Sequence, residues 1–162
     1  MKKSLALAFA LLVTATLGSA QGAGRILYIY DEANEQSAPY VAAFRAAFAA
    51  QGLAVDEATA AELKSRSLAA YDRLVLHGMV MAFASKSPLR DWLKSGPALG
   101  GKKVSLLVTA NRWFLDKLYG QLKELVVKDG AELVDAVSMA TKTTTSDDEA
   151  AAVQALVRRV PR

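Results

Sequence analysis

Residues 70–96, AYDRLVLHGMVMAFASKSPLRDWLKSG, decide the fold of this chain, because they combine a buried strand, an apolar loop and a capped helix. Residues 74–76 form the apolar strand run, and we expect the chain to turn at His77-Gly78. Ser87-Pro88 predicts a helix start, because serine is a good N-cap and proline is tolerated in the first turn. A strand, loop and helix in this order indicate a ligand crevice at the end of a parallel sheet.

The order of basic, apolar and small residues at the start of the chain predicts a secretory signal peptide over residues 1–20. Its apolar core is too short to span a bilayer core of roughly 30 Å. We therefore expect a periplasmic or secreted protein that is not inserted in the membrane after cleavage. The alternative interpretation is a buried N-terminal helix.

Cleavage after Ala20 would leave 162 − 20 = 142 residues, which suits one domain over residues 24–162. The chain has no cysteine, which excludes disulfides, thiolate metal sites and thiol nucleophiles. Loss of Lys2 and Lys3 lowers the formal charge from +4 to +2, since 4 − 2 = 2. Basic and acidic residues are interspersed and no basic stripe carries aromatic residues, so we expect no nucleic-acid partner.

Short apolar runs alternate with amphipathic stretches along the rest of the chain. Strands are predicted at residues 25–30, 53–55, 74–76, 103–109 and 131–138. Helices are predicted after caps at Ser37, Ser87 and Ser146, and after residue 110, with Ser146 and Glu149 forming a capping box. This alternation predicts an α/β protein with a parallel sheet covered by helices on both faces.

Residues 70–96 resemble the third strand and following loop of the flavodoxin-like family, whose members read roughly YD, an apolar strand, then G-S-P-V-Y-x-G-x-x-P-x-P. The residues at matching or adjacent places are Tyr71, Asp72, Gly78, Val80, Pro88, Arg90, Trp92 and Leu93. The resemblance implies a flavodoxin-like fold, a five-stranded parallel sheet in the order 2-1-3-4-5. It places a binding crevice between strands one and three.

The same resemblance implies flavin mononucleotide (FMN) as a cofactor, with its phosphate in a loop after strand one that usually reads S/T-x-T-G-x-T. Asn34, Gln36 and Ser37 would contact the phosphate here. The loop departs from the pattern, since Glu35 replaces the glycine and Glu32 replaces the first hydroxyl residue. Each carboxylate opposes a phosphate by roughly 1 kcal/mol even in water.

The loops after strands three and four would flank the flavin ring. The candidates are His77, Gly78, Met79, Met81 and Phe83 in the first loop, and Asn111, Arg112 and Trp113 in the second. The alternatives are structural: the histidine could satisfy backbone groups at a strand end, and the methionines and Phe83 could anchor the loop on the core. Trp113 could join Phe114 in packing the next helix against the sheet.

Two functions remain open at this point. One is an FMN-binding electron-transfer protein with a redox partner, and the other is a cofactor-free binding or assembly module on the same scaffold with a partner protein. Both favour a carrier or binding protein over a hydrolase or transferase, because no nucleophile and base pair is visible. One histidine and no cysteine also disfavour a metal site.

Overall fold

The structure is a computed structural model that describes residues 24–80, 86–141 and 143–162. The predicted signal peptide, Met81 and Phe83 lie outside the described residues. In the described part, no helix is both long and apolar enough to span a membrane.

Five parallel strands form one sheet, and the predicted order is confirmed as β2-β1-β3-β4-β5. The strands are β1 (Arg25–Tyr30), β2 (Val55–Thr59), β3 (Tyr71–Val80), β4 (Lys103–Ala110) and β5 (Glu132–Ala140). The central strands are almost continuously buried because helices cover both faces, which explains their unbroken apolar runs.

Four α-helices pack on the two faces of this sheet. They are α1 (Ala38–Ala50), α2 (Pro88–Lys94), α3 (Arg112–Lys128) and α4 (Ser146–Arg158). Helices α1 and α4 share one core with the aromatic side chains of β1, and helices α2 and α3 share the other with β3 and β4. The predicted apolar stripe of α1 is confirmed, since its members Tyr40, Val41, Phe44 and Phe48 are all buried.

Strand β3 is longer than its apolar core suggests. It runs from Tyr71 to Val80 and pairs with β4 as far as Val80 and Ala110. The predicted turn at His77-Gly78 is therefore wrong, because β1 and β4 hydrogen-bond the chain on both sides at His77. Strand β2 likewise begins at Val55 rather than at residue 53.

The helix starts agree with the predictions only in part. At α2, the prediction is confirmed: Ser87 Oγ accepts a hydrogen bond from the backbone N–H of Arg90 at 3.1 Å. At α4, the capping box lies one residue earlier than predicted, because Thr145 and Asp148 bond each other reciprocally. Ser146 therefore opens the helix but does not cap it.

The connection between β2 and β3 contains only a three-residue 3₁₀ turn, Glu62–Lys64. Each of the other connections between strands contains an α-helix. Leu63 of this turn packs on the same core as α2 and α3. The face of the sheet beside β2 is thus covered by one short turn and by the flank of α2.

Candidate functional site

The end of β1 is tied to β3 and α2 by one buried carboxylate, Asp31. Its side chain is 3% exposed and lies where the strand order reverses. Oδ1 accepts the Ser87 hydroxyl at 2.9 Å and the Leu89 backbone N–H at 2.7 Å, and Oδ2 accepts the Met79 N–H. Asp31 therefore holds together the loops that the sequence predicts to form the crevice.

Burial raises the pKa of Asp31 to about 6 from its ordinary value of 3.8. The three hydrogen bonds oppose this rise, because they favour the charged carboxylate, and the negative charge of Glu32 adds to it. The desolvation of the charge outweighs its hydrogen bonds. Near neutral pH, the end of β1 therefore carries a buried negative charge.

Side chains of the loop after Asp31 accept several of the loop's own backbone N–H groups. Asn34 Oδ1 accepts the N–H of Gln36 at 3.0 Å and the N–H of Ser37 at 2.9 Å. The Ala38 N–H donates to the Asn34 carbonyl at 3.0 Å, and Pro39 has no N–H. From residue 36 to residue 39, the start of α1 has no backbone donor left for a ligand.

Ser37 is also engaged within this loop. Its hydroxyl donates to the Asn34 carbonyl at 3.1 Å, and its oxygen accepts the Asn34 N–H at 3.0 Å. The predicted capping of α1 by Ser37 is wrong, since its side chain accepts no N–H from the helix. The side-chain amide of Asn34 instead accepts the N–H groups of Gln36 and Ser37, which precede the helix.

An FMN phosphate does not fit this loop in the way that the resemblance implies. A phosphate at a helix start needs free N–H groups and hydroxyls, and here the side chain of Asn34 takes two of the N–H groups. Glu32 and Glu35 are exposed beside it, and Asp31 lies below. Because the N–H groups of Asn34, Gln36 and Ser37 are already engaged and negative charge is present, the loop opposes a dianion.

A cavity of about 240 Å³ lies at this end of the sheet. Its lining residues come from both sides of the crevice: Asp31, Glu32, Asn34, Gln36, Met79, Lys86 and Pro88. Three of the predicted site residues, Asn34, Gln36 and Met79, therefore do come together. Met79 is buried in the core shared with α1 and α4, so it forms the floor.

His77 lies inside the protein rather than at the rim. Its ring is fully buried, with Nδ1 at 3.3 Å from the Tyr28 hydroxyl and Nε2 at 3.0 Å from Thr109 Oγ1. Burial lowers the pKa of His77 to about 3, so the imidazole is neutral near pH 7. Its partners are side chains of β1 and β4, and not the backbone groups that the structural alternative expects.

Gly78 serves the packing of α3 on the sheet. A Cβ at this position would lie 2.5 Å from Cδ1 of Leu122, which is fully buried. The absence of a side chain on β3 lets this leucine approach the strand. The structure thus gives this glycine a packing reason that needs no ligand.

The third predicted loop lies next to the second, but its side chains point elsewhere. The Asn111 N–H donates to the Val80 carbonyl at 3.3 Å, and Asn111 Oδ1 accepts the Trp113 N–H at 3.2 Å as the cap of α3. Arg112 is exposed and Trp113 is 89% exposed. The alternative in which Trp113 packs the helix on the sheet is therefore wrong for this residue.

Sequence reasoning gave too little weight to two residues of this site. Asp31 and Lys86 are not among the candidate site residues that the sequence predicts. A usable signal did exist: an acid directly after a fully apolar strand at the reversal point must find donors, and Ser87-Pro88 supplies a free helix start nearby. In the described ranges, no group of three or more His, Asp or Glu side chains is placed to hold a metal ion.

This strand order, with helices on both faces and a crevice at the ends of β1 and β3, defines a flavodoxin-like fold. No family model matches the chain, and no curated protein matches it. Many solved structures do. Oxidised flavodoxin 2 from Bacillus cereus superposes with a TM-score of 0.60 at 18% identity, covering 83% of this chain and 98% of that one.

Two further flavodoxins show the same likeness. A short-chain flavodoxin associated with a PDU bacterial microcompartment gives a TM-score of 0.64 at 12% identity, with 85% of this chain and 96% of that one covered. Fusobacterium nucleatum flavodoxin, solved with bound flavin mononucleotide, gives 0.62 at 11% identity, with 83% and 95% covered. At these identities, the likeness establishes the fold.

Proposed function

We propose that this protein is an exported, cofactor-free binding module built on the flavodoxin scaffold. The observation that carries the proposal is the hydrogen bonding within the loop after β1, in which Asn34 Oδ1 accepts the N–H groups of Gln36 and Ser37. The binding surface is the rim of the cavity at the ends of β1 and β3. A fold of this kind hosts many functions, so loss of one cofactor leaves the scaffold available for another ligand.

Charge supports this proposal as well. Three carboxylates, Asp31, Glu32 and Glu35, lie on the end of β1 and the loop that would hold a phosphate, and the first two line the 240 Å³ cavity. Lys86 is the only cation that lines the 240 Å³ cavity among the described residues. The rim suits a ligand or a partner protein with a polar, weakly charged surface better than it suits a dianion.

The second candidate function is an electron carrier that binds FMN, with a redox partner protein. The likeness to flavodoxins over 95% or more of their length favours it, since a whole flavodoxin domain is present. The flavin would supply the redox chemistry. Loops 32–37, 78–83 and 111–113 would hold it.

A series of loop variants separates the two functions by FMN titration, followed through flavin fluorescence. Asn34→Thr frees the two N–H groups, and Glu32→Thr with Glu35→Gly restores the phosphate-loop pattern. We expect the triple variant to gain FMN affinity by tenfold or more over wild type, because donors appear and charges leave.

The control is Glu132→Gln with Asp147→Asn, which removes two exposed carboxylates outside the crevice loops. This variant is expected to leave FMN affinity unchanged. If wild type already binds FMN as tightly as the triple variant does, the cofactor-free proposal is wrong and the electron-carrier function stands.

A further inference from the structure

A second and larger cavity, of about 500 Å³, lies beside the first one on the β2 side of the rim. The short 3₁₀ turn between β2 and β3 leaves it open, because no α-helix fills that connection. Its lining residues are Glu32, Ala60, Ala61, Lys64, Lys86, Pro88, Asp91, Trp92 and Ser95. None of these is among the residues predicted to flank a flavin ring.

The walls of this cavity are mainly apolar and include one aromatic ring. Trp92 on α2 is half-buried against the core, and Ala60, Ala61 and Pro88 offer flat apolar surface around it. A cavity of this size, with apolar walls and a few polar groups, is typical of small-molecule sites. A planar ring that stacks on the indole would bury its faces here.

The charges around the cavity set the sign of the ligand. Lys64 and Lys86 form no ion pair among the described residues, whereas Asp91 lies 3.9 Å from the guanidinium of Arg90. Glu32 also lacks an ion pair within the described ranges. The lining therefore holds two lysines without an ion-pair partner among the described residues, beside the carboxylates of Glu32 and Asp91.

We propose that this cavity binds a planar aromatic monocarboxylate, whose ring stacks on Trp92 and whose carboxylate lies between Lys64 and Lys86. A single carboxylate can contact both lysines, whereas a phosphate dianion would be repelled more strongly by Glu32 and Asp91. This proposal rests on the proposed function, because both give the chain a binding role. It adds the chemical class of the ligand.

The test is a titration of the mature protein with 2-naphthoate, followed in ¹H–¹⁵N NMR spectra through the indole N–H signals. The chain has two tryptophans, and Trp113→Phe assigns the two signals. We expect saturable movement of the Trp92 signal and a stationary Trp113 signal, since Trp113 lies outside the cavity. 2-Naphthamide, which lacks the charge, is expected to bind about fivefold more weakly.

Three variants check the contacts. Lys64→Gln and Lys86→Gln should each weaken 2-naphthoate binding about fivefold, and the matched control Lys128→Gln, at the far end of α3, should not. Ala61→Leu fills the cavity from an exposed position and should weaken binding by about tenfold or more without loss of the folded spectrum.

A stationary Trp92 signal, equal affinity for the amide, or an equal loss in Lys128→Gln would overturn the proposal. The titration contains no flavin and reports on α2. Its failure is therefore distinct from a failure of the proposed function, which the FMN titration of loop 32–37 detects.

Discussion

At the scale of the residue, buried polar side chains define the crevice end of this sheet. Asp31 accepts three hydrogen bonds from the end of β3 and the start of α2. The ring of His77 lies within hydrogen-bond distance of Tyr28 on β1 and Thr109 on β4. Both groups are desolvated, which raises the pKa of Asp31 and lowers the pKa of His77 from their ordinary values. The two therefore influence stability in opposite pH directions.

Replacement of Asp31 by Asn tests the buried carboxylate. The amide sets an NH₂ group against one of the N–H donors, which costs about 1–3 kcal/mol. Because the pKa of Asp31 is raised to about 6 in the folded chain, the folded chain binds this proton more readily between about pH 4 and 6. The contribution of Asp31 to stability therefore falls as pH rises through that range.

Urea unfolding of wild type and Asp31→Asn at pH 4 and pH 7 measures this effect, because other titrating groups cancel in the difference. The advantage of wild type should be largest at pH 4 and should shrink toward pH 7 by up to about 3 kcal/mol. A difference that stays constant or grows with pH would refute the raised pKa.

His77 gives a second prediction. Its folded pKa of about 3 lies below the ordinary 6.5, so the unfolded chain takes up this proton first. Its contribution to stability is complete above about pH 6.5 and is lost as pH falls toward 3. The chain has one histidine, so NMR of its ring carbons should show no titration between pH 5 and 8. A midpoint near 6.5 would place the ring at the surface instead.

At the scale of the element, helix α4 shows how closely sequence and structure agree. The sequence Thr145-Ser146-Asp147-Asp148-Glu149 offers two overlapping capping boxes, Thr145 with Asp148 and Ser146 with Glu149. The structure uses the first, and Glu149 instead accepts the hydroxyl of Tyr40 on α1 at 2.5 Å. The side chain of Glu149 is thus engaged with α1 and not with the cap of α4.

The matched variants Thr145→Ala and Ser146→Ala test this choice. Loss of the Thr145 cap should lower the free energy of unfolding by about 1 kcal/mol, and Ser146→Ala should change it by less than about 0.5 kcal/mol. Thermal and urea unfolding give both values. A larger cost for Ser146→Ala would show that the predicted capping box was the right one.

Much of the order of helices and strands could be predicted, because the periodicity of apolar residues indicates each element. Burial on both faces of the sheet explains the apolar strand at residues 103–109, and burial on one face of the helix explains the apolar stripe of α1. The extent of β3 could not be predicted in this way, since His77-Gly78 looks like a turn in sequence. Its strand character comes from pairing with β1 and β4, and from the close approach of Leu122 to Gly78.

At the scale of the whole molecule, a flavodoxin-like fold does not by itself imply a bound cofactor. The strand order and the crevice follow from the alternation of apolar runs, and they match flavodoxins along nearly their full length. The state of the phosphate loop could be predicted only in part. Sequence shows the charges of Glu32 and Glu35, but the acceptor role of Asn34 depends on the geometry of a turn.

The central claim is that the loop after β1 uses its own side chains to bind the N–H groups that a phosphate would need. A comparison of FMN with riboflavin, which lacks the phosphate, tests this claim most directly. Both affinities can be measured by flavin fluorescence on wild-type residues 21–162. We predict that FMN binds no more tightly than riboflavin does, because the N–H groups of Asn34, Gln36 and Ser37 are engaged within the loop, which also carries the carboxylates of Glu32 and Glu35. FMN binding that is tenfold or more tighter than riboflavin binding would contradict the account.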